Sequence, residues 1–167
     1  VSGTRLPWSI FGVIALGALA QSIAAFPQLP DRVASHFGPS GLPNGWMSKP
    51  AFFAVYAAMV ALAAVVGFIA PRSIQKKSPE RINLPNKEYW LAPERRAETF
   101  GFFARSFAWY GCAVLLILVL AMGLAIQANF TSPPRMAAGS ILAVLGGFIV
   151  FNVLWVAQLM RHFSNPR

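Results

Sequence analysis

In the segment FPQLPDRVASHFGPSGLPNGWMSKP (residues 26–50), Asp31 is the one carboxylate and His36 the one imidazole. Acid–base or metal-assisted hydrolysis is the chemistry such a pair could begin. A zinc site normally takes three or four ligands, and this segment contains no Cys, while the second histidine, His162, is 126 residues further on. No Ser/His/Asp spacing signature and no glycine-rich phosphate loop occurs. A membrane-embedded hydrolase using Asp31 and His36 is therefore disfavoured, and neither a metal nor a cofactor is expected. The expected role of His36 is structural, bonded to nearby main chain or to Asp31. Binding is the alternative for this segment, with Asp31, His36, Asn44 and Trp46 as its candidate residues. A second group, Asn86, Tyr89, Trp90 and Arg95, mixes amide, aromatic and cationic side chains in a way that suits contact with a partner.

The elements that hold these residues follow from composition. The chain has 167 residues, 56% of them hydrophobic and 11% charged, with a mean hydropathy of +0.56. Soluble domains carry about 25% charged residues, so an integral membrane protein is indicated. Residues 51–70, 106–130 and 136–160 contain no Asp, Glu, Lys, Arg or His. Each reaches the roughly 20 residues that a helix needs to cross the hydrocarbon core. Residues 7–26 form a fourth span, polar only at Ser9, Gln21 and Ser22 and carrying an interfacial Trp8. Arg5, the apolar run and Ala18-Leu19-Ala20 also fit a signal peptide. The apolar character continues through Phe26, so a retained helix is expected. The fold class is an all-α membrane protein: a four-transmembrane-helix bundle in one domain, with a structured outer loop and a cytoplasmic extension of the third helix. The expected segments are spans at 7–26, 51–70, 99–130 (stem included) and 136–160. Between and after them lie an outer loop at 27–50, a cytoplasmic loop at 71–98, an outer turn at 131–135 and a tail at 161–167.

Cations set the orientation. Eleven of the fourteen Lys and Arg residues fall in the 71–98 connection or beside helix ends on its side, leaving Arg32, Lys49 and Arg135 for the other face. The positive-inside rule then places both termini in the cytoplasm, at the inner membrane of a bacterium. The net charge of +9 is explained by these border cations, which meet anionic lipid headgroups; no nucleic-acid partner is expected.

Five prolines and three glycines in the outer loop exclude a long helix, and Asn44-Gly45 predicts a tight turn. Leu29, Val33, Phe37, Leu42 and Trp46 should fold the loop as a compact cap, with Phe37 and Trp46 at headgroup level. At the other face, Pro93 and Glu94 suit the start of a helix running to Gln127, 35 residues or about 52 Å. Its stem offers Glu98 and Arg105 on one face, and Arg105 is spaced to lie over Trp109. Gly139/Ala143/Gly147, Ala54/Ala58, Ala57/Ala61 and Ala63/Gly67 are small-residue pairs suited to close helix approach. They serve internal packing and a homo-oligomer seam equally well. Gln21, Asn152 and Gln158 are expected to hydrogen-bond between helices, which disfavours an ion-coupled pump. Cys112 should be a buried small residue.

LPDRVASHFGPSGLPNGWMSK and NLPNKEYWLAPERRAETF together resemble a bacterial membrane domain of unknown function, in which Leu-Pro, His-Phe, Gly and a final Asp-Gly-Trp follow the first helix. Asn44 stands where Asp is common. The resemblance covers roughly residues 29–100. The same domain forms the front part of the SdpI-like toxin-immunity proteins, which continue with further membrane segments. For this chain the resemblance implies recognition or immunity without catalysis, with a peptide or protein partner at the outer loop. The other expectation is a structural accessory subunit of a larger membrane complex.

This topology predicts that a cysteine placed at His36 reacts with a membrane-impermeant maleimide on intact cells, whereas one placed at Glu80 reacts only after lysis. The reverse pattern would invert every assignment of outer and inner above.

Overall fold

The computed structural model describes residues 2–164; the end of the expected tail, Arg167 included, lies outside them. Four long helices meet the length and composition of membrane spans, and the protein is a multi-pass membrane protein. They are α1 (Arg5–Ala25), α2 (Lys49–Gln75), α4 (Pro93–Ala128) and α5 (Ala138–Ser164). A single short turn of helix, α3 (Lys87–Trp90), precedes α4. At the opposite end lies an antiparallel hairpin, β1 (Arg32–Phe37) with β2 (Pro43–Ser48).

Local chemistry explains the helix ends. Ser48 is extended, and its hydroxyl accepts from the Ala51 N–H, capping α2, while Pro50 sits in the first turn where its missing N–H is harmless. Pro71 lies deeper in α2 and cannot donate to the preceding turn. The helix answers by widening into a π-turn at Val65–Ile69, in which the Ala70 N–H reaches the Val65 carbonyl. The guanidinium of Arg72 then donates to the Phe68 carbonyl at 2.6 Å. Helix α4 starts at Pro93 and extends 36 residues, about 54 Å at 1.5 Å per residue. This exceeds the membrane core, so its first turns form a stem against which residues 82–91 fold. Ile82, Leu84, Leu91, Phe100 and Phe163 make a buried cluster there.

Helix α4 is the spine of the bundle, contacting α1, α2 and α5. Phe11 of α1, Ala63 and Phe68 of α2, and Ala108, Cys112 and Leu115 of α4 form the central core. The closest crossing is between two glycines. A Cβ on Gly111 would lie 2.8 Å from the Cα of Gly67, so the Ala63/Gly67 pair packs internally. The candidate stripe on α5 does not: Gly139 and Gly147 have nothing within 4 Å of a Cβ position. Polar bonds join the helices as well. Tyr56 donates to Gln21 between α2 and α1 at 2.8 Å, and Tyr110 donates to Asn152 between α4 and α5 at 2.8 Å. Gln158 is exposed. Cys112 is buried, its thiol 3.2 Å from the Pro7 carbonyl.

Gly111→Ala should force α2 and α4 apart at main chain that cannot yield, costing on the order of 1–3 kcal/mol. Gly101→Ala, where a Cβ meets nothing within 4 Å, should be neutral or slightly stabilising. Thermal unfolding of both variants in one detergent separates the two effects.

Candidate functional site

The hairpin is the most elaborated feature outside the helices. Its register pairs Arg32 with Ser48, Val33 with Met47, Ala34 with Trp46, His36 with Gly45, and Phe37 with Pro43. The uneven steps mark irregularities at Ser35 and Asn44. Asn44-Gly45 therefore lies within β2, and the expected tight turn there is replaced by a reversal at residues 38–42. In that reversal Gly41 donates to the Gly38 carbonyl and Gly38 to the Leu42 carbonyl, each at 2.9 Å. Gly41 adopts φ +78°, a conformation available to glycine at little cost. Asn44-Gly45 cannot close the loop because Gly45 is taken by His36: a Cβ there would stand 3.0 Å from the imidazole Cβ and Nδ1.

A two-stranded hairpin alone is marginal in water, and this one is fixed at four places. Val33 is fully buried, joining Ala25, Leu29, Phe52, Ala125 and Ile126 in a cluster beneath the hairpin. At the base, Lys49 donates its ammonium to the Leu29 carbonyl at 2.9 Å, pairs with Asp31 at 3.4 Å and lies over the Phe26 ring. The third anchor is Asn129, 7% exposed at the end of α4. Its carboxamide accepts from the Ala34 N–H at 2.8 Å and donates to the Ala34 carbonyl at 2.9 Å, with a further bond to the Ala125 carbonyl at 2.8 Å. The tip is tied down too, since Met136 N–H donates to the Gly41 carbonyl at 2.9 Å. A side chain at Gly41 would run into the Met136 carbonyl.

This arrangement sorts the candidate residues. Asp31 is fully exposed and its ion-pair partner is Lys49. The nearest polar partner of His36 is Ser35, with Oγ and Nδ1 3.1 Å apart. Five residues of near-extended chain, about 16 Å at 3.3 Å per residue, separate Asp31 from His36. Of the two expected partners of His36, nearby main chain or Asp31, neither is the one found: His36 meets the Ser35 hydroxyl and Asp31 meets Lys49. Phe37 packs on the buried cluster beneath the hairpin. His36, Asn44 and Trp46 are exposed, and Trp46, 42% exposed, has the Arg32 guanidinium 5.9 Å over its ring. Arg32, His36, Asn44 and Trp46 thus form an exposed aromatic and cationic surface on a rigid base. Among the described residues no group of three or more His, Cys, Asp or Glu is placed to hold a metal ion.

At the other end, Asn86 and Trp90 turn inward on the protein's own chain. Asn86, in the left-handed conformation at φ 51°, donates to the Phe163 carbonyl at 3.0 Å, and the Trp90 indole donates to the same oxygen at 2.9 Å. Both satisfy carbonyls at the end of α5. The His162 ring stacks on Phe102 and Trp90. Tyr89 receives the Arg95 guanidinium 3.9 Å over its ring. Arg105, expected over Trp109, lies against Gly3 instead. The Glu80 carboxyl is held below its usual range, first by the Ser78 hydroxyl and then by its own main-chain N–H, with Lys87 and Arg96 adding to the effect.

Asn129 was not among the residues singled out by sequence. Its one signal is an amide, the side-chain analogue of a peptide group, placed where an apolar span stops.

Asn129→Ala should leave the Ala34 N–H and carbonyl without partners, at about 1–3 kcal/mol for each buried group. Hydrogen exchange should show it as faster exchange at Ala34 and its hairpin neighbours, with α4 amides near Leu115 unchanged. Asn129→Asp should fail to rescue, because a carboxylate cannot donate to the Ala34 carbonyl.

Residues 13–60 match the family model of a domain of unknown function, DUF1648. That segment comprises most of α1, the hairpin and the first part of α2, including the Gln21–Tyr56 and Lys49–Leu29 bonds. No curated protein and no solved structure matches the chain. The chain is thus a polytopic membrane protein containing a DUF1648 domain.

Proposed function

We propose that this is a non-enzymatic recognition protein of the bacterial inner membrane, with both termini in the cytoplasm and the hairpin as its outward-facing binding surface. The observation that carries this reading is the contrast within the hairpin. Its inner face and its tip are locked to the bundle by Val33, Asn129 and Met136, while Arg32, His36, Asn44 and Trp46 are left at the surface. Rigid presentation lowers the ordering cost of binding, and exposed Trp and Arg side chains are the types that dominate protein-binding energetics. A peptide or small protein is the class of partner such a surface fits. Immunity to a membrane-active toxin is one function of this class, and the resemblance of the hairpin sequence to the front part of SdpI-like proteins supports it. The cation-rich end supports the orientation and a general attraction to anionic headgroups. On the same side, Tyr89 and Arg95 are the residues available for a cytoplasmic contact, since Asn86 and Trp90 already serve α5.

The test is replacement of His36, Asn44 and Trp46 together by alanine. These side chains are exposed, so the triple variant should accumulate and melt like the parent while losing the parent's host phenotype and its crosslinks from a photoreactive group placed at position 48. An unchanged phenotype and crosslink set would remove the hairpin from the function.

One observation favours a second reading, an accessory subunit or homo-oligomer: none of the most apolar stretch of α5 is buried within the protein. Purification in mild detergent distinguishes the two, because a stoichiometric assembly is expected for a subunit and a lone chain for an independent receptor.

A further inference from the structure

At the end of the bundle away from the hairpin, an open cavity of about 450 Å³ lies between the start of α1, the π-turn of α2 and the stem of α4. Its polar lining is Thr4, Arg72, Gln75 and Lys76, and its floor is Gly67, Phe68, Pro71 and Ala104. We propose that this cavity is a discrete binding site for the phosphate of an anionic lipid headgroup. The inference goes beyond the hairpin reading and does not depend on what the hairpin binds.

The first argument is charge. Arg72 and Lys76 line the cavity. None of the five carboxylates of the chain lines it. The only ion pair among the described residues, Lys49–Asp31, belongs to the hairpin. An uncompensated cationic cleft attracts an anion, and between membrane helices near the surface that anion is a lipid headgroup.

Donor geometry is the second. One N–H of Arg72 is used on the Phe68 carbonyl at 2.6 Å, which fixes the guanidinium at the cavity wall. A guanidinium has five N–H donors in a fork that matches phosphate, so several are left for a ligand. Lys76 adds a mobile ammonium and Gln75 an amide.

Depth is the third. Trp8 stacks on Phe68 with ring centroids 3.9 Å apart, and the Arg72 guanidinium is 5.7 Å over the Trp8 ring. Tryptophan concentrates at the membrane–water boundary, so the pair marks the cavity as lying at headgroup level, with the exposed apolar side chains Val65 and Ile69 below it for acyl chains. Gly67 and Phe68 of the π-turn form part of the cavity's lining, and π-turns often occur at functional positions.

Native mass spectrometry of the full chain in detergent tests the site, with dioleoyl phosphatidylglycerol, dioleoyl phosphatidylcholine and inorganic phosphate as probes. The parent should retain one phosphatidylglycerol selectively. R72Q/K76Q should weaken it about thirtyfold, the effect of removing two cations near a charged surface. R81Q/K87Q, a control on the same connection outside the cavity, should leave this lipid unchanged. Should the double variant fail to fold, Lys76→Gln alone is expected to weaken binding about fivefold. Three results would overturn the proposal: equal losses in both double variants, equal retention of phosphatidylcholine, or displacement of the lipid by millimolar inorganic phosphate, which would make soluble phosphate the ligand.

Discussion

A strand laid across the end of a helical bundle brings main-chain N–H and C=O groups against helices whose own main chain is already paired. Near a membrane such groups cannot be left to chance, because each unpaired one costs free energy comparable to a lost hydrogen bond. Here one side chain supplies the missing partner. The Asn129 carboxamide gives Ala34 an acceptor and a donor at 2.8 and 2.9 Å, doing for β1 what a neighbouring strand would do. Asn129 also accounts for a helix end, since its third bond returns to the Ala125 carbonyl. The placement of the hairpin on the bundle therefore follows from where α4 stops. With Val33 inserted in the cluster below, the edge of β1 that would otherwise invite another chain is occupied at Ala34.

The position of α4 is in turn set by glycine. Association of helices in lipid gains little from hydrophobic expulsion and depends on close packing. Gly67 and Gly111 let the two main chains approach so closely that a Cβ on either would lie within 3.0 Å of the other's Cα, and Phe11, Phe68 and Leu115 fill the space around the crossing. Pro71 could have broken α2 just beyond this point. The π-turn absorbs it, and Gly67 within the turn is the residue that meets α4. Helix α5 is held differently. Asn152 with Tyr110 and Trp155 with Ser106 bond it to α4 in the middle, Met136 precedes it on the hairpin tip, and Asn86 with Trp90 takes its last carbonyls. Polar bonds thus fix α5 where small-residue packing does not, and its glycine stripe is left facing outward.

Much of this was legible in the sequence, for a definite reason. Runs of 20 or more residues without a charge have few solutions other than a membrane helix, so four spans follow from composition, and the long α4 follows from Pro93, Glu94 and the absence of any later breaker. What stayed hidden depends on three-dimensional pairing. Asn44-Gly45 has the composition of a turn, yet the strand needs Gly45 beside His36, and the reversal goes to Gly41, which must also pass under Met136. Trp90 and Asn86 look like surface contact residues until the end of α5 arrives beside them. Asp31 and His36 are near in sequence and far in space because the strand between them is extended. Asn129 stands where an apolar span stops, and only the approach of β1 shows its use.

The segment matched by the family model ends at residue 60, and its strands are not self-sufficient. Ala34 needs an amide from residue 129, and Val33 is buried partly by Ala125 and Ile126. Both lie on the last turn of α4, about seventy residues beyond the match. The hairpin of this chain therefore draws, at the end of α4, on a short apolar patch followed by a side chain that both donates and accepts. Asn and Gln meet that requirement, whereas Asp or Glu as a carboxylate offers only the acceptor and Lys or Arg only the donor. The hairpin is accordingly a feature of the whole four-helix protein, and its outer surface is as fixed as the helix end on which it rests.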